Sequence, residues 1–347
     1  MAEPLPWIEA PLRQALQQAR GHALLIHGPR GVGQFELAMA IAAAWLCETR
    51  RGAAPACGDC AGCRLLASRT HPDLQVLLPE ALQLELGWTA GEEAADGEGG
   101  KRKPSKDIRI EQVRAAIGFT QQTTARGGPK VVVMFPAERM NAASASALLK
   151  TLEEPPGQAR LLLASAAAQR LLPTVRSRCQ ALRLAPPSAE LAQAWLAGQG
   201  AAEPAVLLAA AGGQPLEALD RLAQGLDAAA WRRLPREVIA GQSATLAAWP
   251  LPLAVDALLR LCHDALAVAV DAAPRYFPAE IVPRGGEVPR IAEAARELLA
   301  AASRAEHPWN AALAVEALVQ RTRRALLPGN PGADAGISGR PLATLAS

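Results

Sequence analysis

No stretch of the 347-residue sequence approaches the roughly 18 uninterrupted apolar residues that a membrane-spanning helix needs. The first residues, MAEPLPWIEAPLRQ, also lack the basic segment followed by an apolar core that marks a secretion signal. Both absences predict a soluble, cytoplasmic protein without a membrane partner.

A strong excess of either charge is missing too, because 36 Lys and Arg against 33 Asp and Glu leave a formal net charge of +3. So small a surplus does not suggest a surface that neutralises nucleic-acid phosphates. Aromatic residues make up only 3% of the chain, but 50% of residues are hydrophobic, which argues against global disorder. At roughly 150 residues per domain, the length predicts two or three domains.

Short apolar runs alternate with helical patterns in the first half of the chain. The runs that predict strands lie within 22–27 and at 74–78, 130–135 and 161–164. Helical patterns lie at 8–19, 35–47 and 142–154, the last ending at a Pro-Pro pair. Strands that alternate with helices imply right-handed crossovers and a parallel α/β sheet.

After residue 185 no further β-rich run appears, so the C-terminal half is predicted to be all helix. A GGQP loop at 212–215 separates a small group of helices from a longer set. The sequence thus predicts an α/β domain at 1–186, a small helical domain at 187–229, a second helical domain at 230–327 and a flexible tail at 328–347. Residues 89–106, glycine-rich and acidic and then basic, predict a disordered insertion in the first domain.

The first apolar run ends in a glycine-rich turn, GPRGVGQF at 28–35, where a phosphate-binding loop G-x-x-x-x-G-K-[ST] belongs. Gly28 and Gly33 fit this pattern. Gln34 and Phe35, however, replace the lysine that contacts the β- and γ-phosphates and the hydroxyl that binds Mg²⁺. Since backbone amides at a helix N-terminus still attract anions, we expect at most weak nucleotide binding and no hydrolysis.

A P-loop enzyme also needs an acidic pair at the end of a neighbouring strand, one carboxylate for Mg²⁺ and one that orients the attacking water. After KVVVM this sequence has Phe135 and Pro136. Glu138 is a possible substitute, but it lies two positions further along the chain than Pro136, so its carboxylate would point in a different direction.

Four cysteines have the spacing C-x9-C-x2-C-x2-C, at Cys47, Cys57, Cys60 and Cys63. Without a secretion signal, clustered thiols more often hold metal than pair as disulfides. Four thiolates complete one tetrahedral Zn²⁺ site with no open position, which predicts a structural zinc module at about 47–63. A nucleic-acid-binding knuckle with Arg64 and Arg69 is the alternative, and four thiolates make His71 unnecessary as a fifth ligand.

The most specific patterns are SALLKTLEEPP at 146–156, LLLAS at 161–165 and SRC at 177–179. Together they resemble the bacterial DNA polymerase III clamp-loader family, from about Trp7 to Pro186. The failed phosphate loop followed by a cysteine cluster is similar to the delta prime subfamily rather than to the ATP-hydrolysing tau/gamma subunits. The resemblance implies an AAA+-like α/β domain with a zinc-binding insertion, then a small helical lid domain and a C-terminal helical collar domain.

The resemblance also implies a role for Arg178, the arginine of the SRC match. It would project into the ATP site of a neighbouring subunit as an arginine finger, where a planar, always-charged guanidinium stabilises charge on a transferred γ-phosphoryl group. Ser165 falls at the sensor position of the fold, and Leu216 stands where ATP-binding relatives carry an arginine. We therefore expect no turnover from this chain alone.

The partners implied by the resemblance are delta and three tau/gamma subunits in a hetero-pentameric ring. That ring opens the beta sliding clamp and places it on primed DNA, and this chain would be its non-hydrolysing stator, an accessory subunit of the polymerase holoenzyme. Zinc is the expected cofactor, with no functional ATP site. A weakly active P-loop ATPase and a free-standing zinc nucleic-acid-binding protein are the alternatives.

Overall fold

The computed structural model describes residues 5–18, 21–88, 104–302 and 311–328. The chain divides into two compact units, Met1–Leu191 and Ala192–Ser347. The predicted boundary near residue 229 stays a prediction. Most of the predicted 89–106 insertion and all but the first residue of the predicted tail lie outside the described residues.

A five-stranded parallel sheet forms the centre of the first unit, in the order β2-β3-β4-β1-β5. The strands are β1 Ala23–His27, β2 Leu74–Leu77, β3 Val131–Met134, β4 Arg160–Ser165 and β5 Gln180–Arg183. The inner strands β1, β3 and β4 are almost entirely buried, which explains why they read as continuous apolar runs. The predicted parallel α/β fold is confirmed.

Strand β5 is absent from the sequence prediction, which found four strands. Of its four residues only Leu182 is buried, so no apolar run marks it. It lies at the sheet edge and pairs with β1 alone, from Leu24 opposite Gln180 to His27 opposite Arg183. Because most side chains of this edge strand are exposed, few of them need to be apolar.

Seven α-helices accompany the sheet in the described part of this unit. They are α1 Glu9–Gln18, α2 Gln34–Leu46, α3 Ala61–Ala67, α4 Glu80–Glu85, α5 Ile110–Gln121, α6 Ala142–Glu153 and α7 Pro173–Arg176. Helix α6 starts where the Asn141 side chain accepts the backbone N–H of Ser144 at 2.8 Å, and it ends before Pro155. Helix α5 has no counterpart among the predicted elements.

The helices that follow are α8 Ala189–Gly198, α9 Pro204–Ala210, α10 Pro215–Ala223, α11 Ala228–Ala240, α12 Ala244–Ala247, α13 Leu251–Ala269, α14 Val288–Ala302 and α15 Ala311–Leu326. The described residues of the second unit contain no strand, which agrees with the all-helical prediction. Its core includes Trp231, which stacks on Phe277 with ring centroids 4.2 Å apart. No helix among the described residues combines the length and apolar character that crossing a bilayer requires.

Asp73 forms a buried ion pair at the end of the first unit's sheet where β2 and β3 begin. Its carboxylate lies 3.0 Å from Nζ of Lys130 and accepts the backbone N–H groups of Ala125 at 2.9 Å and Arg126 at 3.0 Å. Burial alone would raise the pKa of Asp73, but these donors outweigh it and hold the pKa below its ordinary value.

Acid should therefore weaken this unit. A carboxyl group with a lowered folded-state pKa stabilises the fold above its unfolded pKa, about 3.9 for Asp, and the stabilisation is lost as pH falls through the folded value. We expect Asp73→Asn to lower the free energy of unfolding at pH 7 by about 3–5 kcal/mol, since Lys130 stays buried without its partner. Urea unfolding at pH 7 and pH 3 should show a smaller loss on acidification for this variant than for wild type and for an exposed control, Asp107→Asn. Equal losses would contradict the assignment.

Candidate functional site

The glycine-rich turn lies between β1 and α2, as predicted, and its glycines meet close neighbours. Gly33 has a φ of +98°, and a Cβ there would lie 2.6 Å from Leu5 Cδ1. A Cβ on Gly28 would lie 2.1 Å from the carbonyl oxygen of Leu184. Glycine is favoured at position 33 by the positive φ and is required at position 28 because the backbone oxygen of Leu184 leaves no room for a Cβ.

Gln34, at the lysine position of the loop, is buried and folds back on the loop itself. Its Nε2 donates to the carbonyl oxygens of Gly28 at 2.9 Å and Pro29 at 2.6 Å. Trp7 holds the same loop, since its Nε1 donates to the Val32 carbonyl at 2.7 Å. The side chain that would carry positive charge to a phosphate is thus a neutral amide engaged with its own loop.

Aromatic rings occupy the positions where a P-loop enzyme holds Mg²⁺. Phe35, at the hydroxyl position, stacks on Phe135, at the strand-end carboxylate position, with centroids 5.1 Å apart and planes at 28°. Trp88 packs edge-on against Phe35 at 6.2 Å. Mg²⁺ requires oxygen ligands in near-octahedral geometry, which these side chains cannot supply.

The remaining polar side chains near these strand ends bind backbone instead. An oxygen of Glu138 accepts the backbone N–H of Ala166 at 3.2 Å, and the Ser165 hydroxyl accepts that of Ala167 at 3.1 Å. Both side chains therefore bind the turn that follows β4. Leu216, the fifth departure from the ATPase pattern, lies in the first turn of α10 in the second unit.

The four predicted metal ligands come together, with all sulfurs within 4.8 Å of one another. Cys47 Sγ lies 3.9 Å from Cys60 Sγ, and Cys57 Sγ lies 3.8 Å from Cys63 Sγ. Zn–S bonds of about 2.3 Å at tetrahedral angles place sulfurs about 3.8 Å apart, so the cluster fits Zn²⁺.

The chain supplies these ligands from two helix ends and the loop between them. Cys47 follows α2, Cys60 caps α3, and the sulfurs of Cys47, Cys57 and Cys60 each accept a backbone N–H at 3.3–3.4 Å. Hydrogen bonds from the Thr49 side chain and from backbone N–H groups lower the pKa of Cys57 to about 6. Burial, together with hydrogen bonds to the neighbouring cysteine side chains, raises the pKa of Cys63 to about 12.

His71 is not part of the cysteine cluster. Its Nδ1 accepts the backbone N–H of Asp73 at 3.1 Å, and burial lowers the pKa of the ring. Four sulfurs without a histidine would hold zinc with no open coordination position. Such a zinc ion cross-links the chain and supplies no catalysis.

Arg178 lies in the turn between α7 and β5. Gln180 pairs with Leu24 in parallel register. Arg178, two residues before Gln180, therefore lies at the end of the sheet where the strands begin. The glycine-rich loop follows β1 at the opposite end of the sheet, and the four residue steps from Leu24 to Gly28 separate these two ends by about 13 Å. The structure therefore does not bring Arg178 to the loop of its own chain.

The guanidinium of Arg178 contacts Glu153, the last residue of α6. Its Nε donates to Glu153 Oε1 at 2.6 Å and its Nη2 donates to the same oxygen. Neither Glu153 nor Trp88 is among the residues that the sequence predicted for the site. Glu153 lies within the SALLKTLEEPP pattern, which offered a signal, whereas nothing in the sequence around Trp88 connects it to Phe35.

Comparisons with known proteins relate the sequence of this chain to one family. The model of the family described as DNA polymerase III, delta subunit, matches residues 8–188. The chain is 43% identical over 231 residues to the DNA polymerase III subunit delta' of Pseudomonas aeruginosa, a match that covers 65% of this chain and 63% of that protein. It is 33% identical over 158 residues to the DNA polymerase III subunit tau of Salmonella typhimurium, covering 46% and 21%. A DNA polymerase III gamma subunit-related protein from Thermotoga maritima matches in structure with 17% identity, a TM-score of 0.43 and coverage of 92% and 99%.

Proposed function

The chain belongs to the DNA polymerase III delta subunit family, and from that membership we propose that it is the non-hydrolysing stator of a bacterial clamp loader. Its partners would be delta and tau/gamma subunits in a ring of five, and through that ring the beta sliding clamp and primed DNA. The segment at 187–229 would be the lid and that at 230–327 the collar. The matched segment spans 63% of the Pseudomonas relative, so the activity of the whole assembly is part of this proposal.

The absence of ATP hydrolysis is supported most directly by the stacked rings of Phe35 and Phe135. They occupy both positions from which a P-loop enzyme would bind Mg²⁺. Gln34 adds to this, because its amide hydrogen-bonds to the loop carbonyls and brings no charge. Both magnesium coordination and γ-phosphate stabilisation would have to be rebuilt before this chain could turn over ATP.

Restoring the loop lysine alone should therefore not create an ATPase. We expect Gln34→Lys to release phosphate from Mg²⁺-ATP no faster than wild type, because no carboxylate returns at Phe135 or Pro136. The measurement is phosphate release by the isolated, folded chain, with Gln34→Met prepared in parallel as the control for contaminating ATPases. Turnover by Gln34→Lys alone would overturn our account of the missing acidic pair.

A role for Arg178 in a neighbouring site is supported by its place in the sheet. It lies at the end of the sheet opposite its own glycine-rich loop, so a nucleotide at that loop is out of its reach. Its side chain is 33% exposed, which leaves the guanidinium accessible to a neighbour. Supplying a guanidinium in trans would couple hydrolysis in that neighbour to assembly of the ring.

The alternative of a free-standing zinc nucleic-acid-binding protein gains little from the basic residues beside the cluster. Arg64 donates to the Asp59 carbonyl at 2.6 Å, and Arg69 packs over the Trp88 ring at 4.7 Å. Both guanidinium groups thus make contacts within this chain. Duplex DNA affinity of the isolated chain that falls steeply with added salt would favour this alternative.

A further inference from the structure

Arg178 is held by three oxygen acceptors of its own chain. Besides Glu153, which accepts from Nε and Nη2, the Thr174 carbonyl accepts from Nη1 at 3.0 Å and the Ser177 hydroxyl does so at 3.4 Å. The guanidinium edge formed by Nε and Nη2 thus faces a carboxylate, and Nη1 faces two neutral oxygens. These contacts favour one orientation of a long side chain that has many rotamers.

We propose that Glu153 is a positioning residue for Arg178 and holds it in the orientation that meets the γ-phosphate of a neighbouring subunit's ATP. The proposal rests on the arginine finger proposed above. Its basis is the different strength of the two sets of contacts. A charged phosphate oxygen is a stronger acceptor than the carbonyl and the hydroxyl that face Nη1, so it would displace these neutral acceptors first. Glu153 would meanwhile keep the Nε edge and with it the direction of the side chain.

The ion pair is too exposed to prevent Arg178 from binding a phosphate. The side chain of Glu153 is 49% exposed and that of Arg178 is 33% exposed. Exposed ion pairs contribute little to stability and are screened by salt, so the pair does not keep a phosphate away. Its effect is to orient the guanidinium before ATP reacts. Less conformational freedom of the Arg178 side chain is then lost during the reaction.

The test uses the clamp-loader complex reconstituted with delta and tau/gamma subunits from the same organism. We expect Glu153→Ala to lower kcat for clamp- and primed-DNA-stimulated ATP hydrolysis at the completed site by about 10-fold, with KM for ATP unchanged, since the finger is present but less ordered. Glu153→Gln should be intermediate because its amide oxygen still accepts from Nε. Glu154→Ala, which removes the adjacent exposed carboxylate, should leave kcat unchanged. Thermal melting and native mass spectrometry establish that each variant folds and assembles.

A double-substitution cycle separates positioning from a structural effect. In an Arg178→Ala background, Glu153→Ala should have no further effect, and an undiminished second fall would make Glu153 merely structural. A higher rate with Glu153→Ala would mean that it restrains the finger and would overturn the proposal. If Arg178→Ala lowers the rate and Glu153→Ala does not, only the positioning role fails. An unchanged rate with Arg178→Ala contradicts the arginine finger itself, and the positioning role with it.

Discussion

If Arg178 is the proposed arginine finger, replacing it by alanine should lower ATP hydrolysis at the neighbouring site by about 10³-fold or more, the effect that arginine fingers have in other phosphoryl-transfer sites. The physical reason is the charge that develops on the γ-phosphoryl oxygens, which a guanidinium stabilises and a methyl group does not. The measurement is ATP hydrolysis by the complex reconstituted with delta and tau/gamma, stimulated by clamp and primed DNA. Because other sites in the ring also hydrolyse ATP, single-turnover phases should be compared rather than the total rate alone.

Two further variants make this comparison specific. Arg176→Ala removes an exposed arginine two residues away in the same segment and should leave the rate unchanged. Arg178→Lys keeps the charge but loses the planar fork that reaches a phosphate and a carboxylate together, so it should recover only a small part of the rate. Unchanged hydrolysis by an Arg178→Ala complex that assembles like wild type would leave this chain a structural spacer.

Replacing Cys60 by serine should abolish zinc binding and destabilise the first unit. Cys60 provides a sulfur 3.9 Å from Cys47 and also caps α3, where it accepts the backbone N–H of Cys63. Structural zinc binding is worth about 10–16 kcal/mol in zinc-finger peptides and adds directly to folding. We therefore expect bound zinc to fall from one ion per chain to none, with a clearly lower Tm.

Elemental analysis and thermal unfolding of the same preparations provide the readouts for this substitution. Cys179→Ser is the matched control, because Cys179 lies outside the cluster and should leave the zinc content unchanged. A Cys60→Ser protein that keeps a full equivalent of zinc and melts like wild type would rule out the tetrathiolate site.

The parts of the fold that the sequence predicted are those with strong local patterns. Buried runs such as Val131–Met134 mark inner strands, since both of their faces are covered and nearly every residue is apolar. The four cysteines were equally predictable, because ligand spacing is a short-range property of the chain. The Pro155-Pro156 pair likewise marked the end of α6, which the structure places at Glu153.

The parts that the sequence did not predict depend on contacts between distant residues. Strand β5 becomes a strand because β1 offers an edge, and its own residues are mostly exposed. The contact of Arg178 with Glu153 joins residues 25 positions apart. Likewise, the stacking of Phe35 on Phe135 arises only because α2 and β3 meet at the same end of the sheet. The sequence already places Phe35 and Phe135 at the hydroxyl and carboxylate positions, but only the structure shows that their rings stack on each other.

Membership of a clamp-loader ring is the central claim, and native mass spectrometry of this chain mixed with delta and tau/gamma subunits from the same organism tests it most directly. We expect a single complex of five chains that contains one copy of this protein. A complex that forms equally well from the other subunits while this chain stays free in solution would contradict it.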